Sequence, residues 1–177
     1  MNFDTISINT RQIASEDSVF SVTYLWRNMP WDLDDSNCTA STLAVLDIAK
    51  LENELLHHEQ KSPVHLLLAF MVRPNANPAG RILAQQNINL TSARELVKPM
   101  YDPYIGPVVH YTPSLVRVYK TVQHLARESG GLRPLVRTDQ LLRVIIEEQD
   151  PNAEKLFKAL GINQWHLQKE LKLVALQ

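Results

Sequence analysis

His110-Tyr111-Thr112-Pro113-Ser114-Leu115-Val116-Arg117-Val118 opens a helix with a cap, a proline and the first residues of an apolar face. The Thr112 hydroxyl is a helix cap, and Pro113 takes the first helical position, where its missing N–H costs nothing. Leu115, Val118, Tyr119, Val122, Leu125 and Ala126 then follow the i, i+3, i+4, i+7 stripe of a helix with one buried face. Gly130-Gly131 stops that helix. Thr138-Asp139 opens the next, with an acid in the first turn facing the positive end of the helix dipole. Asp150-Pro151 repeats the cap-plus-proline device, and Gly161 suits the left-handed C-cap position. A last helix, from about Asn163, carries Leu167, Leu171 and Val174 on one side.

The same grammar stands 73 to 75 positions earlier, over residues 38–97. Cys38-Thr39 opens a helix, Ser62-Pro63-Val64-His65-Leu66-Leu67 a second, and Asn77-Pro78-Ala79 a third, while Asn87-Ile88-Asn89 leads into a fourth. Val45, Leu46, Ala49 and Leu56 give the first apolar stripe, and Asn87 takes the place of glycine. Four cap-plus-proline pairs (Ser62-Pro63, Asn77-Pro78, Thr112-Pro113, Asp150-Pro151) mark the helix starts, and each cap contributes about 1 kcal/mol. The expected fold class is all-α: two tandem four-helix repeats, the first over about 38–98 and the second over about 111–175, joined by a linker at 99–110. Three prolines and two tyrosines between Lys98 and Pro107 predict an extended crossing rather than a helix.

Residues 1–37 fit neither copy. Phe20, Val22, Tyr24 and Trp26 alternate with Ser21, Thr23 and Leu25, a strand-like pattern, and Trp31 adds another large apolar group. Three readings stand side by side: an arm packed across the helical body, a docking element for a partner, and a disordered tail.

The 177 residues suit one compact domain or two small ones, and 45% hydrophobic with 21% charged is an ordinary globular balance. A net charge of −1 carries no electrostatic footprint for nucleic acid or an anionic membrane, so neither is expected as a partner. Cys38 is alone, which excludes an intrachain disulfide framework. The start at Met1-Asn2-Phe3-Asp4 lacks the basic and apolar runs of a secretory signal, and the native start methionine favours a whole protein over a fragment. A cytoplasmic setting is expected, or the plastid stroma for a processed plant protein.

This doubled pattern resembles the N-terminal domain of the Clp AAA+ chaperones, above all the ClpC type. That domain is a pseudo-twofold pair of four-helix repeats. His110-Tyr111-Thr112-Pro113 and Val118 match the opening of the family's second repeat. Pro63-Val64-His65-Leu66-Leu67-Leu68 and Thr138-Asp139-Gln140-Leu141-Leu142 stand where the family has T-E-H-L-L. Arg81-Ile82-Leu83 and Ala159-Leu160-Gly161-Ile162 resemble its turns, and the likeness covers about residues 38–175. The resemblance implies a non-catalytic interaction module that binds a Clp ATPase, the protease core, an adaptor or a substrate polypeptide. A free-standing relative of the ClpT accessory type is one form of it. The alternative is a Clp N-like domain that grips an amphipathic helix of an unrelated, secretion-type partner. No P-loop is present, since Gly80, Gly106, Gly130, Gly131 and Gly161 stand outside any G-x-x-x-x-G-K-[ST] context, and no cofactor is expected.

In the ClpC type the glutamate of each repeat's G-T-E-H opening is implied as an anchor for cationic ligands, including phosphorylated arginine. Here those positions are Val64 and Asp139. Valine cannot accept a hydrogen bond or balance a guanidinium, so phosphoarginine recognition is not expected. Asp139 has the plainer reading of a first-turn helix acid, and Arg137 and Arg143 could instead receive an anion. The candidate partner-binding residues are therefore Arg137, Thr138, Asp139 and Arg143, with Trp26 and Trp31 from the N-terminal stretch. Side chains of His57-His58-Glu59 diverge and no metal-type pair follows them, so no metal is expected. His65 stands where the family also has histidine, implied there to be a packing and capping residue. Cys38 reads as a small core residue rather than a nucleophile.

Overall fold

The computed structural model describes residues 37–104, 110–129 and 134–174. Among them, α1 (Ala40–Leu55), α2 (Pro63–Val72), α3 (Pro78–Ala84) and α4 (Leu90–Val97) form the first unit. The second comprises α5 (Pro113–Glu128), α6 (Thr138–Glu148), α7 (Pro151–Ala159) and α8 (Gln164–Val174). Two two-residue strands, β1 (Gln60–Lys61) and β2 (His110–Tyr111), pair in parallel between the units. Expectations for the arm at 1–37, Trp26 and Trp31 included, and for the Gly130-Gly131 stop fall outside the described residues.

The four cap-plus-proline pairs all stand where the sequence put them, with proline in the first turn of α2, α3, α5 and α7. Duplication extends to single hydrogen bonds. Thr39 Oγ1 accepts from Thr42 N at 3.2 Å, and its counterpart Thr112 Oγ1 accepts from Leu115 N at 3.3 Å. Asn77 Oδ1 accepts from Gly80 N (2.6 Å) as Asp150 Oδ1 does from Ala153 N (2.9 Å). Asn89 and Asn163 cap α4 and α8 through the amides of Ser92 and His166, at 3.2 and 3.1 Å. Asn87 (φ 53°) and Gly161 (φ 67°) hold the same left-handed turn, a conformation in which asparagine is the commonest substitute for glycine.

The two units are stitched together reciprocally. In β1–β2, Lys61 sits beside Tyr111, and Thr112 N donates to Lys61 O at 2.9 Å. Exchanging the repeats turns this into a bridge of Cys38 with Val136, where Thr39 N donates to Val136 O at 3.1 Å. The segment before each unit's second helix thus pairs with the segment before the other unit's first. A twofold swap of this kind satisfies backbone groups that neither repeat could satisfy alone.

At the centre lies α2, whose residues Pro63 to Phe70 are all buried. A helix apolar on every side must be covered on every side, and α1, α3, α4, α5 and α7 all pack on it. Its counterpart α6 buries Leu141, Leu142, Val144, Ile145 and Ile146 against α5, α3, α8 and α1. Both helices contribute to one core with Tyr119, Phe157 and Leu167.

One expectation needs correction. The crossing after α4 is not extended throughout, because Lys98–Met100 forms a 3-10 turn with Pro99 inside it. Proline fits that first turn, where no intrahelical N–H bond is required. From Tyr101 to Tyr104 the chain does run beside the α1–α2 loop: Tyr104 N donates to His57 O at 2.6 Å and Pro103 bridges His58.

Candidate partner-binding site

Arg137, Thr138 and Asp139 come together at the start of α6. Arg137 is the extended N-cap residue (φ −109°, ψ 154°), and its backbone N–H donates to Gln140 Oε1 at 2.9 Å. Its guanidinium turns back so that Nε donates to Asp139 Oδ1 at 3.0 Å. Asp139 is an acid in the first turn of α6, as its sequence position suggested, and it is only 5% exposed. Buried and already paired, it reaches solvent through the half-exposed Arg137. Thr138 is fully buried, and its Oγ1 has no hydrogen-bond partner among the described residues.

Arg143 does not join them. It lies farther along α6 with its Nε on Glu147 Oε1 at 2.8 Å, an exposed i, i+4 pair of the kind that contributes about 0.3–0.5 kcal/mol. Arg137 and Arg143, the residues expected to be able to receive an anion, are each paired with a carboxylate of α6 and each about half exposed. Val64, in the matching position of the first unit, is fully buried.

The sequence reading missed the apolar surface. Leu51 and Leu55, one turn apart on α1, are 60% and 58% exposed, while Glu52 and Asn53 between them are buried. The stripe is inverted at this end of the helix. Glu52 turns inward because Arg94 on α4 reaches it with both Nε and Nη2, the Nε contact at 2.8 Å. This charge-assisted fork raises the Arg94 pKa further. Asn53 turns inward to donate from Nδ2 to His58 O at 2.6 Å. Polar residues at positions due to be apolar were the available signal, and for Glu52 only a partner 42 positions away in the chain explains it. Trp165 on α8 is also exposed, with Lys169 Nζ 5.8 Å from its ring centre.

Beneath the crossing lies a second buried polar group. His57 and His58 diverge as expected: His57 is exposed in a left-handed turn (φ 57°), and His58 is 1% exposed. His58 Nδ1 lies 2.9 Å from His65 Nε2, and His58 Nε2 lies 3.1 Å from Lys98 O. His65 Nδ1 accepts from Ser62 N at 3.0 Å, which makes it the capping residue that the resemblance implied. The Tyr101 ring leans on both imidazoles, at 4.9 and 5.8 Å between centres. Burial lowers both histidine pKa values; His65, with His58 and Lys61 adding repulsion, falls to about 3. Burial raises that of Tyr101. Among the described residues no group of three or more His, Cys, Asp or Glu side chains could hold a metal ion, and Cys38 is buried in the core.

Residues 37–160 match the Clp repeat N-terminal domain, and the chain belongs to that family. It is similar to the ATP-binding subunit ClpC of the ATP-dependent Clp protease of Staphylococcus aureus, at 27% identity over 110 residues, or 58% of this chain and 13% of that one. Its fold is that of the N-terminal domain of the chaperone ClpD from Arabidopsis thaliana, with a TM-score of 0.65 and 17% identity over 85% of this chain and 99% of that one. The Hsp104 N-terminal domain from Candida albicans also matches, with a TM-score of 0.59 and 13% identity over 76% of this chain and 89% of that one. The chain spans about an eighth of the length of the ClpC relative, and the match lies in the repeat domain, a non-catalytic module of the Clp ATPase chaperone system. No helix among the described residues is long and apolar enough to cross a membrane.

Proposed function

We propose that this repeat domain is a protein-interaction module that docks a component of the Clp system: a Clp ATPase, its protease core, an adaptor or a substrate polypeptide. The reading rests chiefly on the reciprocal bridges between the repeats, Lys61 with Tyr111 and Cys38 with Val136. They make a preformed body, and a surface already rigid avoids the ordering cost of association. Leu51 and Leu55 are the apolar anchors it offers, and Arg137 with Asp139 is a charged contact at the start of α6. Buried apolar anchors within a polar rim are the usual source of affinity in such interfaces. The same reading makes residues 1–37 a separate extension ahead of a double domain at 38–177, with Trp26, Trp31, Thr138 and Arg143 as further partner contacts.

The test is direct binding of the purified full chain to each Clp ATPase and protease core of its source cell, measured by interferometry. Micromolar or tighter binding is expected to one of them. Paired Leu51→Ala and Leu55→Ala changes should weaken it at least tenfold while leaving thermal unfolding unchanged. Absence of binding to every Clp component would overturn the reading.

A further inference from the structure

The buried histidines form a chain whose proton positions are dictated at one end. A backbone N–H can only donate, so the Ser62 amide, 3.0 Å from His65 Nδ1, requires that nitrogen to be bare. His65 therefore carries its proton on Nε2 and donates it to His58 Nδ1 across 2.9 Å. His58 in turn carries its proton on Nε2 and donates to the Lys98 carbonyl at 3.1 Å. The chain runs from the α2 cap to the crossing between the repeats, and both imidazoles are neutral.

No place exists for another proton. Protonating His58 at Nδ1 would set two N–H groups against each other over the 2.9 Å gap. Moving the His65 proton to Nδ1 would only transfer that clash to the Ser62 amide. The Ser62 hydroxyl, 2.9 Å from the same nitrogen, can turn round to accept, but the amide cannot. Neighbouring charges give no relief. Lys61 on β1 and His57 in the loop repel a cation here. Glu52 on α1 is committed to Arg94 on α4, and Asp150 on α7 accepts from the amides of its own helix and from the Ser114 hydroxyl at 2.6 Å. Tyr101 lies against both rings and titrates only in alkali, while Glu59 and Asp102 are exposed.

We propose that the His58–His65 pair is a proton-operated latch on the crossing between the repeats. Neutral, it holds Lys98–Tyr104 against the first unit; protonated, it releases that segment while the four-helix units stay folded. Three contacts fasten the segment to the α1–α2 loop: the His58 ring on Lys98 O, the Tyr101 ring against the His58 ring, and the His58–Pro103 bridge made by Tyr104 N on His57 O at 2.6 Å. All three pass through His57 or His58. The second unit is not built this way. Gln140 replaces His65 there and accepts from the Arg137 amide through Oε1 at 2.9 Å, a bond indifferent to pH.

Amide hydrogen exchange of the full chain between pH 7.5 and 5, corrected for intrinsic exchange, reads the latch. Protection at Ser62 and Tyr104 should fall as pH drops below about 6.5, by up to tenfold per unit for each histidine that must charge on opening. Amides of α5 and α6 should keep theirs. His65→Gln imports the second unit's device and leaves only His58 to charge on opening, so the loss of protection at Tyr104 should shrink from up to a hundredfold to at most tenfold per pH unit. Imidazole nitrogen shifts of the unsubstituted chain give a reading that needs no variant, and both rings should show the Nε2–H form at pH 7.5. Uniform loss of protection along the chain, equal pH dependence in His65→Gln, or an Nδ1–H form at either ring would each overturn the proposal.

Discussion

Replacing Gly80 by alanine should destabilise the protein, although helix propensity alone predicts a gain. Gly80 lies in the first turn of α3, where alanine is favoured over glycine by about 1 kcal/mol. A Cβ built there would meet Phe70 O at 2.6 Å, Pro74 Cα at 2.7 Å and Pro74 O at 2.8 Å. All three are backbone atoms of α2 and the turn after it, so no rotamer change relieves the contact. The helix as a whole must back off by roughly half an ångström, and overpacking of this kind costs about 1–3 kcal/mol. With every obstacle in the backbone the upper end applies, and about 2 kcal/mol of net loss remains after the propensity gain. In a thermal scan this is a fall of about 4–8 °C, and urea unfolding at pH 7.5 should show a lower midpoint with an unchanged slope. The twofold mate of Gly80 is Ala153, which fits its site at 1% exposure. Ala153→Gly should also destabilise, by about 1–2 kcal/mol, through lost propensity and a lost buried methyl. A Gly80→Ala protein as stable as the original or more so would refute the reasoning.

Asp150 holds two amides of α7 and the Ser114 hydroxyl, so Asp150→Ala should cost about 2–3 kcal/mol in urea unfolding. Asp150→Asn, which copies Asn77 of the first unit, should cost less than half of that. Arg94→Met strands the buried Glu52 carboxylate and should cost about 3 kcal/mol. Glu52→Leu with Arg94→Gln installs the residues found at the matching positions of the second unit, Leu125 and Gln168, and should recover most of that loss in a double-mutant cycle.

Helix starts were legible in the sequence because capping is local: a hydroxyl or amide accepts from an N–H two or three residues ahead, and proline announces the position. Asn77, Thr112 and Asp150 cap in that way, and Ser62 stands at its helix start with its hydroxyl on His65 Nδ1 instead. Repetition at a fixed offset then supplied the architecture, since two copies of one unit that cannot cover its own central helix must cover each other's. The site was much less legible. Asp139 and Arg137 stood two positions apart in the sequence, and only the fold closed the carboxylate from solvent. The inverted face of α1 could not be interpreted without Arg94, nor the Lys98 turn without the loop it packs beside.

The sequence by itself determined what nearest neighbours along the chain control: the caps, the left-handed turns at Asn87 and Gly161, the buried stripes and the duplication. Tertiary structure alone decided what depends on partners far apart in the chain. It crossed the strands between the repeats, turned Glu52 inward and Leu51 outward, and joined His58 to His65 beneath the crossing. The reason is physical: a backbone cap is satisfied within one turn, whereas a buried charge or imidazole takes its protonation and direction from whatever the folded chain brings within 3 Å of it.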